Sequence, residues 1–124
     1  MQAAIGKVRS RGSARSGAGT WKAQRFTAIA NLLLVLWFVV NAIAMAGSAY
    51  AEWVAWFHSP LTAALMILLV LSTCYHARIG LQEVVEDYVH HEIGKVAILV
   101  GITLVAALLA TAGVVSVLMI ALGG

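Results

Sequence analysis

Three long apolar stretches with almost no charged side chain constrain this chain more than any other feature. Each is at least as long as the roughly 20 helical residues that cross the hydrocarbon core of a bilayer. Only the second stretch contains an internal charge, at Arg78, close to its end. The pattern therefore predicts three transmembrane helices, at about residues 26–48, 60–82 and 95–121.

The composition excludes the other common classes of small protein. Of 124 residues, 62% are hydrophobic and 10% are charged, and the mean hydropathy is +0.94. Soluble domains contain about 45–50% hydrophobic residues and about 25% charged residues. A soluble fold of this size would expose much of its apolar surface to water. Disorder is excluded for the same reason, and the single cysteine, Cys74, excludes a disulfide scaffold. The predicted class is an all-α integral membrane protein without room for a soluble domain.

Local signals mark the ends of the predicted spans. The aromatic residues Trp53, Trp56 and Phe57 follow the first span, as expected near a membrane interface. Proline is favoured in the first turn of a helix, so Pro60 marks the start of the second span. The polar segment 83–95 is expected to form the loop between the second and third spans.

Basic residues are concentrated in an N-terminal arm, residues 1–25. The arm holds six of the eight Lys and Arg residues and no acid, whereas the 49–59 loop holds only Glu52. Basic loops stay on the cytoplasmic side. We therefore expect a bacterial inner membrane protein with a cytoplasmic N-terminus and a periplasmic C-terminus. The arm's composition also suits a mitochondrial transit peptide, so the mitochondrial inner membrane, with the arm in the matrix, is the alternative.

The end of the second span carries most of the polar groups that could perform chemistry. At 100° per residue, five polar or small residues share one helix face within about 80°: Ser72, His76, Gly80, Glu83 and Asp87. Arg78 points almost the opposite way and can extend to the headgroups. An imidazole beside a glycine suits an axial haem ligand, or the histidine hydrogen-bonds a neighbouring helix. Because the other histidines lie at the opposite membrane face or in the loop, a second haem ligand would come from another chain.

The acidic segment after this span is a second candidate site. Tyr88 could donate a hydrogen bond to a quinone carbonyl, with Asp87 orienting it or relaying protons. Alternatively, Tyr88 is an interfacial anchor among solvated acids. His90 and His91 are a weak metal pair without further ligands. In the third span, Ala97–Gly101 and Ala106–Ala110 offer small residues at the four-residue spacing of close helix packing.

Several motifs together resemble the small hydrophobic membrane anchor of succinate dehydrogenase, in its alphaproteobacterial form. The most specific are HARIGLQ at residues 76–82 and EDYVH at 86–90. GSARSG at 12–17 and WKAQRFTA at 21–28 resemble the arm and first helix of the same group. The resemblance covers most of the chain. Glu83 departs from the apolar residue expected there.

The resemblance implies half of a heterodimeric anchor helix bundle, without a succinate-oxidising site of its own. Such a chain, together with a second anchor subunit, holds a flavoprotein and an iron–sulfur protein on the membrane. It implies that His76 is one axial ligand of a b-type haem shared with that second anchor. It also implies that Tyr88 and Asp87 contact ubiquinone, the substrate, and that Arg25 lies near the haem propionates.

Two alternatives to this interpretation stay open, and a third is disfavoured by the sequence. One is a structural anchor without haem, in which His76 only forms a hydrogen bond. Another is the anchor of a fumarate reductase-type quinol enzyme, since one anchor does not fix the direction of electron flow. A small proton-coupled drug transporter fits the length but would need a carboxylate in the first span, and 26–51 has none.

Overall fold

Residues 2–123 fold into four α-helices joined by short connections. The computed structural model describes the backbone of residues 2–123 and the side chains of residues 19–123. Within the described residues there is no β-strand. The helices are α1 (Gln2–Ala44), α2 (Tyr50–Phe57), α3 (Pro60–Tyr88) and α4 (Glu92–Leu122). The predicted all-α class is confirmed.

Three of the helices contain segments long and apolar enough to cross a membrane. These segments are Gly19–Ala44 in α1, and the whole of α3 and α4. The predicted number of spans is confirmed, and α1 ends at Ala44, four residues before the predicted end of the first span. The chain turns at Gly47, whose φ of 83° lies in the left-handed region that glycine adopts readily.

The polar segment 83–95 was predicted to be a loop, and that prediction is wrong for most of its length. The helix α3 continues to Tyr88 and α4 begins at Glu92, so only residues 89–91 are outside a helix. Side chains four residues apart on α3 support the extension, since Gln82 Nε2 donates to Glu86 Oε1 at 2.9 Å. At the start of α4, His91 Nδ1 accepts a hydrogen bond from the Gly94 amide at 3.0 Å. His91 is thus the N-cap of α4.

The predicted 49–59 loop contains the short helix α2, which sequence reasoning did not foresee. Its aromatic residues form a cluster with the end of α1. Trp56 stacks on Trp37 with ring centroids 5.6 Å apart, and Trp53 and Phe57 meet the Trp56 ring edge-on. Such a cluster fixes the turn from α1 to α3 at one face of the membrane.

The three long helices form an open row with α3 in the middle. α3 packs against α1 on one side and α4 on the other, while α1 and α4 do not pack together in the described part. Few described side chains are buried: Thr27, Thr62, Ile79, Val85 and Val117. Most of the apolar surface of the described residues therefore faces outward, as expected of helices surrounded by lipid.

At Gly113, α4 leaves room for Val70 of α3, at a place the sequence did not indicate. A Cβ added at Gly113 would lie 2.7 Å from Val70 Cγ1 and 3.3 Å from Val70 Cγ2. A Cβ added at Gly101, one of the predicted small-residue positions, would meet nothing within 4 Å. Gly113 is thus in close contact with α3, whereas Gly101 faces a groove.

This difference gives a first prediction. We expect Gly113→Ala to destabilise the protein by about 1–3 kcal/mol, because the added methyl group overlaps a stiff β-branched side chain. Thermal unfolding followed by circular dichroism in mild detergent measures the effect. Gly101→Ala, the matched control, should unfold at the wild-type temperature or slightly above it. Adding Val70→Ala to Gly113→Ala should recover much of the loss. Equal effects of the two glycine substitutions would contradict this packing.

Candidate functional site

The predicted polar face of α3 lies against α1 of the same chain. Two contacts set the antiparallel register: Thr27 Oγ1 lies 2.8 Å from His76 Nδ1, and a Cβ added at Gly80 would lie 3.9 Å from Gln24 Nε2. The same register places Asn31 level with Ser72. We call these residues the α1–α3 seam. Gly80 thus makes room for a side chain of the neighbouring helix.

The hydroxyl group of Thr27 determines which way the hydrogen bond to His76 runs. Thr27 Oγ1 lies 2.7 Å from the Ala23 carbonyl oxygen and 3.2 Å from that of Gln24. Two oxygens at 2.7 Å need a hydrogen between them, and a hydroxyl has only one to give. Thr27 therefore donates to the Ala23 carbonyl and accepts from His76 Nδ1. The neutral imidazole then carries its proton on Nδ1.

The other ring nitrogen of His76, Nε2, is left with its lone pair. It has no hydrogen-bond partner among the described residues, and it is not one of the buried polar atoms that lack a partner. Nε2 therefore keeps some accessible surface in this chain. The hydrogen bond to a neighbouring helix, expected as an alternative to haem ligation, is present on Nδ1 and does not occupy the nitrogen that would bind iron.

Three further polar atoms of the seam are buried without a hydrogen-bond partner: Gln24 Oε1, Asn31 Oδ1 and Ser72 Oγ. Sequence reasoning placed Ser72 on the polar face of the second span but assigned no role to the three polar residues of α1 in the seam, which are Gln24, Thr27 and Asn31. The sequence nevertheless contains a pattern that could have identified them. Positions 24, 27 and 31 share one face of α1, just as positions 72, 76 and 80 share one face of α3. Two polar faces in helices of one small membrane protein are expected to face each other.

Arg78 lies on the other side of α3 and does not extend to the headgroups as expected. Its Nε donates to Thr103 Oγ1 on α4 at 3.3 Å, and its Nη1 donates to Gln82 Oε1. Gln82 in turn donates to Glu86. This chain of hydrogen bonds provides the polar partners that an arginine in a membrane segment requires.

A cavity of about 480 Å³ opens between α3 and α4 beside Arg78. Its walls are almost entirely apolar and include Cys74, Ala77, Gly101 and Leu109. His76 does not line it. Cys74 is half-buried and unpaired.

Tyr88 and Asp87 occupy the last turn of α3 and face outward. Tyr88 is 79% exposed, and neither side chain forms a hydrogen bond within the described residues. Because α3 stays helical through Tyr88, the tyrosine projects about 120° around the helix from His76. The structure therefore does not bring Tyr88 and His76 onto one wall. Glu83 is also exposed.

Arg25 stands on a different side of α1 from the seam. It is two residues before Thr27, which is more than half a turn, and it is exposed. Its guanidinium lies over the Trp21 ring, 5.2 Å from the centroid, in a cation–π contact. The structure does not place Arg25 beside His76.

The two neighbouring histidines do not form a metal centre with other residues of the described chain. His91 caps α4, and His90 is exposed. No group of three or more His, Cys, Asp or Glu side chains within residues 19–123 is arranged to hold a metal ion.

Comparison with known proteins gives one consistent result. A family model described as the succinate dehydrogenase/fumarate reductase transmembrane subunit matches residues 1–119. A succinate dehydrogenase hydrophobic membrane anchor subunit of Rickettsia bellii is 34% identical over 89 residues, which are 72% of this chain and 71% of the relative. The protein of the same name from Rickettsia conorii is 28% identical over 102 residues, or 81% of each chain.

Proposed function

The chain belongs to the succinate dehydrogenase/fumarate reductase transmembrane subunit family, and from this premise we propose that it anchors succinate dehydrogenase in the bacterial inner membrane. In this function it pairs with a second anchor subunit and holds the iron–sulfur and flavoprotein subunits on the cytoplasmic side. The match over almost the whole chain, together with three membrane-spanning helices, carries this proposal. Succinate oxidation belongs to the flavoprotein and not to this chain.

We propose His76 as an axial ligand of a b-type haem shared with the second anchor subunit. The donor chemistry fits, because a metal-binding histidine usually donates from one ring nitrogen to a fixed acceptor and binds metal through the other. In this chain Nδ1 donates to Thr27, and Nε2 is accessible. When bound, the haem supplies a one-electron redox centre within the membrane. The second axial histidine comes from the partner subunit in this proposal.

We propose Tyr88 and Asp87 as the contribution of this chain to the ubiquinone site. Both project from the end of α3 that emerges beside residues 89–91, where a quinone ring at the membrane surface would meet them. The tyrosine hydroxyl donates a hydrogen bond to a quinone oxygen, and the Asp87 carboxylate holds that hydroxyl in position or accepts its proton. Their exposure on this chain leaves them accessible to ubiquinone and to the iron–sulfur subunit.

Arg25 remains a proposed partner of the haem propionates on the basis of the family resemblance. Its position at the start of the α1 span supports a role near the membrane surface, where an arginine also stabilises the cytoplasmic end of a helix. Its contact with Trp21 is local to α1 and leaves the guanidinium exposed.

Copurification with spectroscopy tests the proposal. The tagged chain, extracted in mild detergent, is expected to bring down a second anchor subunit, an iron–sulfur protein and a flavoprotein. The reduced-minus-oxidised spectrum of the same sample should show the α band of a b-type haem. The same partners without that band would identify a haem-free anchor, in which His76 serves only the seam. Fumarate reduction by quinol exceeding succinate oxidation would assign the complex to the fumarate reductase type. A chain recovered alone would contradict the anchor function.

A further inference from the structure

We propose that Thr27 is the positioning residue for His76. It determines which ring nitrogen is free to bind iron, and how strongly that nitrogen donates its electron pair to the iron. The inference rests on the proposed haem ligation and deepens it. It concerns a residue of α1, a helix on which the sequence indicated no partner for this histidine.

The first step is the choice of tautomer. A neutral imidazole places its proton on either nitrogen, and only the unprotonated nitrogen can bind iron. Thr27 Oγ1 already donates to the Ala23 carbonyl at 2.7 Å, so it can only accept from His76. Thr27 therefore holds the proton on Nδ1 and keeps the Nε2 lone pair available before any haem arrives.

The second step is the orientation of the ring. Thr27 is 7% exposed, and its hydroxyl is held to the backbone of its own helix. The acceptor is therefore as fixed as α1 itself. A histidine on α3 that donates to it at 2.8 Å is held by a second helix, and Gly80 allows that helix to approach. The seam thus limits rotation of the imidazole around its side-chain torsions.

The third step is the electronic effect on the ligand. A hydrogen bond from Nδ1–H to an oxygen raises the basicity of the imidazole, and loss of such a partner typically lowers metal affinity about 10–100-fold. A more basic ligand favours ferric over ferrous iron. Removal of the Thr27 hydroxyl should therefore raise the reduction potential of the haem as well as weaken its binding.

Three substitutions in the intact complex test the inference. Thr27→Val keeps the shape of the side chain and removes the acceptor, so we expect a more positive midpoint potential and roughly 10- to 100-fold weaker retention of haem. Thr27→Ser keeps the hydroxyl and should remain close to wild type in both. Thr73→Val is the matched control, because the Thr73 hydroxyl also donates to a backbone carbonyl four residues earlier but contacts no histidine. It should leave the potential unchanged.

The outcomes separate this inference from the proposed function. If His76→Ala abolishes the haem but Thr27→Val has a wild-type potential and retention, haem ligation stands and the role of Thr27 is wrong. If Thr27→Ser changes the haem as much as Thr27→Val does, the methyl packing matters and not the hydroxyl, which also overturns the inference. Thr27→Ala, with less bulk, is measured in the same way if the valine variant does not assemble. Haem retained in His76→Ala overturns the ligand assignment itself.

Discussion

Replacement of His76 by alanine is expected to abolish the b-type haem while the complex still assembles. The substitution removes one of the two axial ligands, and an alanine offers no atom that binds iron. It also leaves Thr27 without its partner in the seam, so some loss of thermal stability accompanies it. The reduced-minus-oxidised spectrum of the purified complex, scaled to its flavin content, measures the result.

A histidine outside the site provides the control for this experiment. His90 is exposed and follows the end of α3, so His90→Ala should retain the full haem content and an unchanged α band. Copurified partner subunits show that each variant assembles. An unchanged spectrum in His76→Ala, with the partners present, would rule out His76 as the ligand.

Replacement of Tyr88 by phenylalanine is expected to reduce electron transfer to ubiquinone about 100-fold or more, the usual size of a lost proton donor in a catalytic site. The ring remains, so packing against partner subunits changes little, but the hydroxyl that binds the quinone oxygen is removed. Succinate oxidation measured with an artificial acceptor at the flavin should be unaffected. The ratio of the two rates is the quantity to measure.

The chain contains a close control for the tyrosine. Tyr50 is 83% exposed and carries the same phenol group. It lies at the start of α2, which precedes the first residue of α3, whereas Tyr88 is the last residue of α3. Tyr50→Phe should leave both rates unchanged, whereas Asp87→Asn should lower the quinone rate alone. If Tyr88→Phe lowers both rates equally or neither, Tyr88 has no specific role at the quinone site.

The three membrane-spanning helices could be predicted because hydropathy acts over long segments and every lipid-exposed backbone group must be satisfied within its helix. The ends of these helices were harder to predict from the sequence. The charges of the 83–95 segment indicated a loop, but the first six of these residues form the end of α3, where Gln82 and Glu86 pair along the helix surface. Polar residues are tolerated by a helix that extends into water, so polarity alone does not mark its last residue.

The helix α2 was missed because eight residues with clustered aromatics also suit an interfacial loop. What distinguishes the two is the stacking of Trp56 on Trp37. That contact joins residues of different helices, and no local pattern contains it.

The candidate site shows the same limit at the level of single residues. His76 could be selected from its motif and its position on α3, but its partner Thr27 is 49 positions away. The helical faces narrow the choice to a few residues of α1, whereas the register between α1 and α3 is decided by packing along the whole interface. Arg78 is a similar case, because its bond to Thr103 depends on how α4 docks.

The central position of α3 also bears on how the chain enters the membrane. The most apolar 18-residue window of α3 has a mean hydropathy of 1.6, the lowest of the three spans, against 2.2 in α1 and 2.6 in α4. Because α1 precedes α3 along the chain, we expect Gln24 and Thr27 to lie in the bilayer before His76 and Ser72 are inserted. The least apolar helix would then insert beside polar side chains of α1, and the more apolar α4 would insert last, on the other side of α3.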